Sequence, residues 1–562
     1  MTHLTRAALA LALALPAPAL ACGGFFCNNE APVDQSGEKI VFAIDAEKEA
    51  VEVHVQIAYE GAAEDFAWVL PAPAEPELFL SSETLFTQLE WATAPQYMMD
   101  WKDEGNCTEE ATPRAVDDAV MDSGVDFDAG AANESGGVIV VSTQRVGPYE
   151  SITLQATSGE ALLAWLTDRN FDLPTDLAPA LDPYLADGGY LVALRLAKDA
   201  STGDLAPFGM RYAGDVPMIP IQLTRVAATP DMRLQPYILS NGRAVPDNYL
   251  HVQLNDVAVD WFSNGNNYRD VVTQAADEAG GHAFATDFAG STEGLRDLLA
   301  RDGQFDGVVD QLGASASLDE FMWVIRDNFN SSSELLDTLT SCVEIGAAGI
   351  EPQDLFNCPD CYDPAEYTFD APTCAEALDT QMIQPLLEAD TLFDRFSWLT
   401  RLTSSISPAE MTVDPRFVIN PKMAEVDAMR RADLVFECKN GRDRFDAPMR
   451  LELPSGQIVP LPSFNWMWEN NFSYLDWVKD ATVYAAETVE QTSADEDPMT
   501  ITNNTAQIGE ALAALSEADG PEVGNGGGAV EGAGCGCQQG AGGTGALLSL
   551  GVGLLGLRRR QR

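Results

Sequence analysis

Residues 39–59 read KIVFAID-AEKE-AVEVHVQIAY, and this stretch decides the first half of the fold. Val51, Val53, Val55, Ile57 and Tyr59 alternate with Glu52, His54 and Gln56. Successive strand side chains point to opposite faces, so this period of two predicts a strand buried on one face, with His54 turned to solvent on the other. The polar run 46–49 joins it to the strand 39–45 as a hairpin loop. Working outward, further strands are expected at 64–70, 137–143, 147–156, 189–198, 218–226, 232–240 and 249–255. One helix interrupts them: Ser158 caps 159–170, with Leu162, Leu163 and Leu166 on a common face. The acidic, Gly- and Ala-rich stretch 101–137 reads as a surface insertion.

Beyond residue 258 the periodicity turns helical. Leu295, Leu298 and Leu299 make one stripe; Phe321, Trp323, Val324 and Phe329 lie near another. Residues 406–517 return to strand and then mix, with a hairpin of 450–453 and 457–461 across Pro454-Ser455-Gly456 and two later helices. The expected class is α+β. A β-rich domain (22–258) precedes a helical, Cys-containing region (259–405), a mixed region (406–517), a Gly-rich linker with a Cys motif (518–537) and a hydrophobic segment with an Arg tail (538–562).

The two ends carry an address. Arg6, the apolar run 7–15 and the small-x-small site Ala19-Leu20-Ala21 form an export signal over 1–21, with cleavage before Cys22 expected and lipidation of Cys22 the alternative. At the other end Gly540 to Leu557 is uncharged and is followed by Arg558-Arg559-Arg560-Gln561-Arg562, which fits retention with the body outside the cytoplasm. With Gly534-Cys535-Gly536-Cys537 just upstream, this ending resembles the myxobacterial-type C-terminal sorting signal MYXO-CTERM. That resemblance implies processing and surface transfer, with Cys535 or Cys537 the modified residue.

A second resemblance rests on the order of several stretches. Cys22-Gly-Gly-Phe-Phe-Cys27 precedes the hairpin and Phe66-Ala-Trp68-Val-Leu70-Pro71-Ala72-Pro73. Then come Val146-Gly147-Pro148-Tyr149-Glu150, Leu163-Ala-Trp165-Leu166, Pro217-Met-Ile-Pro220-Ile-Gln-Leu223, Leu399-Thr-Arg401-Leu402 and Met411-Thr-Val413-Asp414-Pro415. Over roughly residues 20–440 this order resembles the secreted bacterial domain-of-unknown-function family DUF2330. The resemblance implies an exported protein and brings no assigned activity.

Composition prunes the function classes. Asp plus Glu number 87 against 32 Lys plus Arg, a net charge of −55 over 562 residues. Phosphate neutralisation needs basic residues, so a general nucleic-acid binder is excluded, and docking on anionic lipid is disfavoured. Apolar residues at 46% are ample for a folded core. Eight cysteines outside the tail pair (Cys22, Cys27, Cys107, Cys342, Cys358, Cys361, Cys374 and Cys438) suit disulfides of unknown pairing in an exported chain. Zinc held by Cys342, Cys358, Cys361 and Cys374, or a redox pair at Cys358 and Cys361, are the alternatives.

Catalytic motifs are wanting. After the signal only His54, His251 and His282 remain; His251 alternates with Leu250 and Val252 and is expected to face outward. There is no Gly-x-Ser-x-Gly elbow and no His-Glu-x-x-His helix. Ser36-Gly-Glu-Lys39 matches Ser-x-x-Lys but runs into a strand, and Gly540-Ala-Gly542-Gly-Thr-Gly545 matches the dinucleotide fingerprint without a preceding strand. Asp117, Asp118, Asp122, Asp126 and Asp128 offer oxygen donors to calcium, with a solvated acidic loop as the plainer reading. Phe464, Trp466, Trp468, Phe472, Tyr474 and Trp477 form either a glycan-stacking platform or a core. No catalytic, cofactor or metal residue is assigned. The sequence points to a surface protein of the cell envelope, held at the membrane by its C-terminal segment. Its role is non-enzymatic, binding a surface polymer, an envelope protein or divalent cations. A hydrolase using carboxylate chemistry is the alternative.

Overall fold

The computed structural model describes residues 34–517, apart from 46, 61–66, 108–137, 169–176, 197–205, 215, 227, 347–348, 440, 480–482 and 484–485. The signal, Cys22, Cys27, the five aspartates of the calcium reading, the linker with Cys535 and Cys537, and the hydrophobic segment lie outside the described residues. Among those described, no helix is long and apolar enough to cross a membrane.

In chain order the strands are β1 (Asp34–Asp45), β2 (Ala50–Glu60), β3 (Ala67–Ala72), β4 (Glu77–Leu80), β5 (Gln96–Gly105), β6 (Val138–Val146), β7 (Tyr149–Ala156) and β8 (Tyr190–Leu196). There follow β9 (Phe208–Ala213), β10 (Ala228–Ser240), β11 (Ala244–Pro246), β12 (Leu250–Gln253), β13 (Ala283–Ser291), β14 (Val343–Ile345), β15 (Tyr367–Phe369) and β16 (Trp398–Ile406). The last are β17 (Phe417–Ile419), β18 (Met429–Cys438), β19 (Met449–Glu452), β20 (Ile458–Leu461), β21 (Thr488–Gln491) and β22 (Met499–Asn503).

A ten-stranded mixed sheet, ordered β22-β21-β12-β13-β16-β10-β1-β2-β9-β4, organises the molecule. Its strands come from both sides of residues 258 and 405, so those positions mark changes of local periodicity across which the chain returns to one sheet. The opening hairpin forms as read: β1 and β2 pair antiparallel, with Ile40 opposite Val55 and Phe42 opposite Val53. These four side chains share a face with Met210, Leu234 and Ile238, and pack against Trp68, Leu70, Val192 and Leu194 of the four-stranded sheet β3-β8-β7-β6. The far face of that smaller sheet is covered by the helices Gly159–Thr167 and Ala178–Leu185 through Leu162, Trp165, Leu166 and Leu181. Ser158 caps the first of these by accepting from the Ala161 amide, as its sequence implies.

The opposite face of the large sheet is not solvent. Val41, Ala43, Tyr237 and Leu239 meet Leu85, Phe86 and Leu89 of the helix Glu83–Thr93 and Leu392 and Phe393 of the helix Gln384–Arg395. His54 therefore does not point to water. It is 1% exposed, and the ring of Phe79 stands edge-on to it at 5.2 Å. Phe79 lies over Gly209, where a Cβ atom would come within 2.2 Å of the ring, so the contact requires glycine there. The period-of-two reading was right about alternation. What it missed is that a central strand has two buried faces once helices from distant sequence cover the second.

Two further units complete the body. Sheet β20-β19-β18-β5 packs on the helices Phe464–Glu469, Tyr474–Val478 and Thr505–Glu517, and Tyr474, Trp466, Phe472 and Trp477 belong to that core. The aromatic run is thus mainly packing, with Trp468 alone among its members strongly exposed, at 83%. The helices between 308 and 378 form a separate small core around Leu312, Phe321 and Leu339, in which Trp323 faces out. The expected strand 218–226 is instead a short helix, Ile221–Thr224, because Pro217 and Pro220 cannot donate to a ladder and Pro220 starts a turn. The middle region, read as helical, also holds β13, rich in Ala and Phe, and β16, rich in Leu, Thr and Ser, both of them strands with buried residues on both faces.

Disulfides join Cys107 to Cys438, Cys342 to Cys374 and Cys358 to Cys361. The first ties the ends of the parallel pair β5 and β18; the second crosses the small helical core. The four sulfurs considered for zinc are thereby spent in two bridges.

Buried charge is concentrated beside β16. Arg401 and Asp287, both fully buried, pair at 2.9 Å, and Arg401 also reaches Glu90 at 2.9 Å. Burial alone would push Glu90 up, but Arg401, Arg233 and Lys39 outweigh it and hold the carboxyl at about 2. Glu52 behaves alike: burial pushes up, and His54 with Arg395 and Arg211 brings it to about 2. A depressed carboxyl stabilises the fold above its unfolded value, and that contribution disappears as the folded group takes up its proton. Stability should therefore fall as pH drops from 4.5 towards 2, and Glu52→Gln should flatten part of that loss in acid unfolding followed by circular dichroism. An equally steep acid limb in the variant would sink this assignment.

Candidate functional site

A cavity of about 350 Å³ lies between the two sheets. Ile40 and Phe42 of β1, Val53 and Val55 of β2, and Met210 and Tyr212 of β9 make its floor. Leu70, Pro71, Ala72 and Pro73 form a second wall, and Pro183, Tyr184, Met218 and Pro220 contribute others. The space follows from local chemistry. β3 is an edge strand, where Pro71 is tolerated, and its Ala72 is too small to fill the gap between the sheets. Two stretches that carry the family resemblance, 66–73 and 217–223, thus meet at one cavity. Gly189, also in the lining, sits where a Cβ would fall 1.9 Å from the Tyr184 carbonyl oxygen, so the Tyr184 wall depends on that glycine.

The polar group in this floor is Glu38, 5% exposed. It belongs to the Ser36-Gly-Glu-Lys39 match. A register shift between Gln35 and Gly37 marks a bulge in β1, and it lets the Gln35 side chain reach Glu38 three residues on, Nε2 donating to Oε2 at 3.4 Å. Lys39, of opposite parity, turns to the other face and pairs with Glu90 at 3.4 Å. Burial pushes the Glu38 carboxyl up to about 7, only partly offset by Gln35. Glu38 is not among the candidate residues of the sequence, although Glu38, Ile40, Phe42 and Ile44 share parity and so place an acid on the apolar side of a strand.

Tyr184 is held from behind. Its hydroxyl donates to Asp414, which also accepts from the Gln222 amide at 3.0 Å and from Gln222 Nε2 at 3.1 Å. Burial pushes Asp414 up while these bonds pull it down. With both its oxygens engaged, Asp414 positions a wall and is not a spare acid.

The three described histidines are all hydrogen-bonded within the fold. His54 Nδ1 lies 2.7 Å from Ser81 Oγ and its Nε2 3.3 Å from Glu52 Oε1, a serine–histidine–glutamate chain. All three are at most 2% exposed, and Arg211 and Arg395 clamp the glutamate, so no substrate reaches the hydroxyl. His251 does not face outward as expected: it is 3% exposed, between Glu490 at 3.2 Å and Thr286 at 3.0 Å. Burial pushes it down against the pull of Glu490. His282 donates from Nε2 to the Glu410 carbonyl oxygen at 2.6 Å. Among the described residues no group of three or more His, Cys, Asp or Glu is placed to hold a metal ion.

A family model described as an uncharacterized protein conserved in bacteria, DUF2330, matches residues 16–331, more than half of the chain. The chain belongs to the DUF2330 family. The DUF2330 span contains every residue that lines the cavity, Glu38 to Pro220, and ends well before the helix–strand segment with Arg401. It is shorter than the 20–440 expected from the motifs, so Leu399-Thr-Arg401-Leu402 and Met411-Thr-Val413-Asp414-Pro415 fall outside it. No curated protein and no solved structure matches the chain.

Proposed function

We propose that this DUF2330 protein is an exported, non-catalytic binding protein of the cell envelope, and that the cavity between its two sheets is the ligand site. The observation that carries the reading is the lining: a largely apolar cavity with one buried acid, Glu38, held only by a long bond from Gln35, and, among the described residues, no serine, cysteine, lysine or histidine in the wall. Its volume suits a small apolar envelope component better than a polymer chain, which would need an open groove. Three disulfides agree with life outside the cytoplasm. The tether would be the Gly-rich linker with Gly540 to Leu557 and the Arg tail, or an end processed at Cys535 or Cys537.

Titration of the purified full chain with the neutral apolar fluorophore N-phenylnaphthylamine tests this. Saturable binding at one site, lost in the cavity-filling variant Ala72→Phe, is the expected result. Unchanged binding in that variant would remove the cavity from the account. Turnover of polymeric or ester substrates that disappears in Glu38→Gln would favour the hydrolase reading instead.

A further inference from the structure

We infer that the cavity takes an organic cation, an amine or guanidine head on an apolar body, with the head seated against Glu38. This deepens the reading of the cavity as the ligand site and rests on it. Among the described residues four acids are nearly fully buried: Glu38, Glu52, Asp287 and Glu490. Glu52 has Arg211 and Arg395, Asp287 has Arg401, and Glu490 has His251. Glu38 alone has no cationic partner, and its one described hydrogen bond, from Gln35, is long at 3.4 Å. No Lys, Arg or His lines the cavity among the described residues. A buried carboxylate without a counter-ion is costly, so an arriving cation would recover what the fold leaves uncompensated.

The surroundings favour the same chemistry. Aliphatic side chains and prolines accept the apolar body, and the rings of Phe42, Tyr184 and Tyr212 add cation-attracting surface. An anionic ligand would meet Glu38 inside and a chain of net charge −55 outside. A neutral ligand with a carbonyl would need the protonated form of Glu38, and a cation the ionised form, so the two differ in pH dependence. The groups facing Glu38 do not blur this. Its cross-strand neighbours are Ile57 and Leu234, Tyr184 and Tyr212 are pushed above the ordinary phenol value by burial, and Asp414 is engaged behind Tyr184. Burial keeps the proton on Glu38 up to about pH 7, so binding the cation releases one proton near neutrality.

Calorimetric titration of the full chain with phenylpropylamine, phenylpropanol and phenylpropionate tests the inference. Above about pH 8 the amine should bind at least about tenfold more tightly than the alcohol, as expected for a charge-assisted contact. That preference should shrink as pH falls below Glu38's value, and Glu38→Gln should abolish it while still binding the alcohol. Equal affinities for amine and alcohol, or a preference that survives Glu38→Gln, would overturn the inference and leave the cavity reading standing. If none of the probes binds, the reading beneath it fails as well.

Discussion

Arg401→Met is expected to lower the unfolding free energy by about 3–5 kcal/mol, measured by urea denaturation at neutral pH. The substitution removes the guanidinium that compensates Asp287 in the middle of the ten-stranded sheet, where both groups are fully buried. It also releases Glu90, which Arg401 bonds at 2.9 Å, and the ring of Tyr237, 5.5 Å from the guanidinium carbon. The large cost comes from leaving one charge behind, since an intact buried pair gains little over apolar packing. Adding Asp287→Leu should therefore recover part of the loss, though Tyr268 then loses the acceptor for its hydroxyl. Strictly additive losses in the double variant would show that the pair is not the source.

Glu38→Gln should act in the other direction. Its carboxyl titrates at about 7 in the fold against 4.5 unfolded. Between these values the folded state keeps a proton that the unfolded chain has lost, so stability falls as pH rises from 4.5 to 7 and stays lower above. The size of that loss is about 3 kcal/mol. Gln does not titrate, so the variant should match wild type at pH 4 and exceed it by up to about 3 kcal/mol at pH 8, read from melting or denaturant curves. A constant difference at both pH values would mean that Glu38 is not protonated in the fold.

Much of the fold was legible in local pattern. The hairpin 39–59, the capped helix after Ser158 and the hairpin across Pro454-Ser455-Gly456 depend on neighbours within a few residues, and the structure has all three. What escaped was set by distant packing. His54 and His251 alternate as solvent-facing residues do, yet Phe79 and Ser81 cover the first and Glu490 of β21, far along the chain, covers the second. β16 escaped because Thr400, Arg401, Thr403, Ser404 and Ser405 are all buried, so polar residues fall on both faces and no apolar–polar alternation marks the strand. The site was less legible than the fold. Glu38 stands inside the Ser36-Gly-Glu-Lys39 match, whose chemistry would lie with its serine and lysine. The inward position of its carboxyl becomes visible only when parity is followed through the bulge into Ile40 and Phe42. Nothing local in Leu70 to Pro73 or Met218 to Pro220 says that these segments converge.

If the cavity is the proposed ligand site, the Glu38 carboxylate decides what binds there. The most direct measurement is a crystal structure of the full chain with phenylpropylamine bound at about pH 8, above the Glu38 value. The expected result is the phenyl group between the two sheets and the ammonium within hydrogen-bond reach of the Glu38 carboxylate. An empty cavity with the amine elsewhere, or the amine inside but turned away from Glu38, would contradict it.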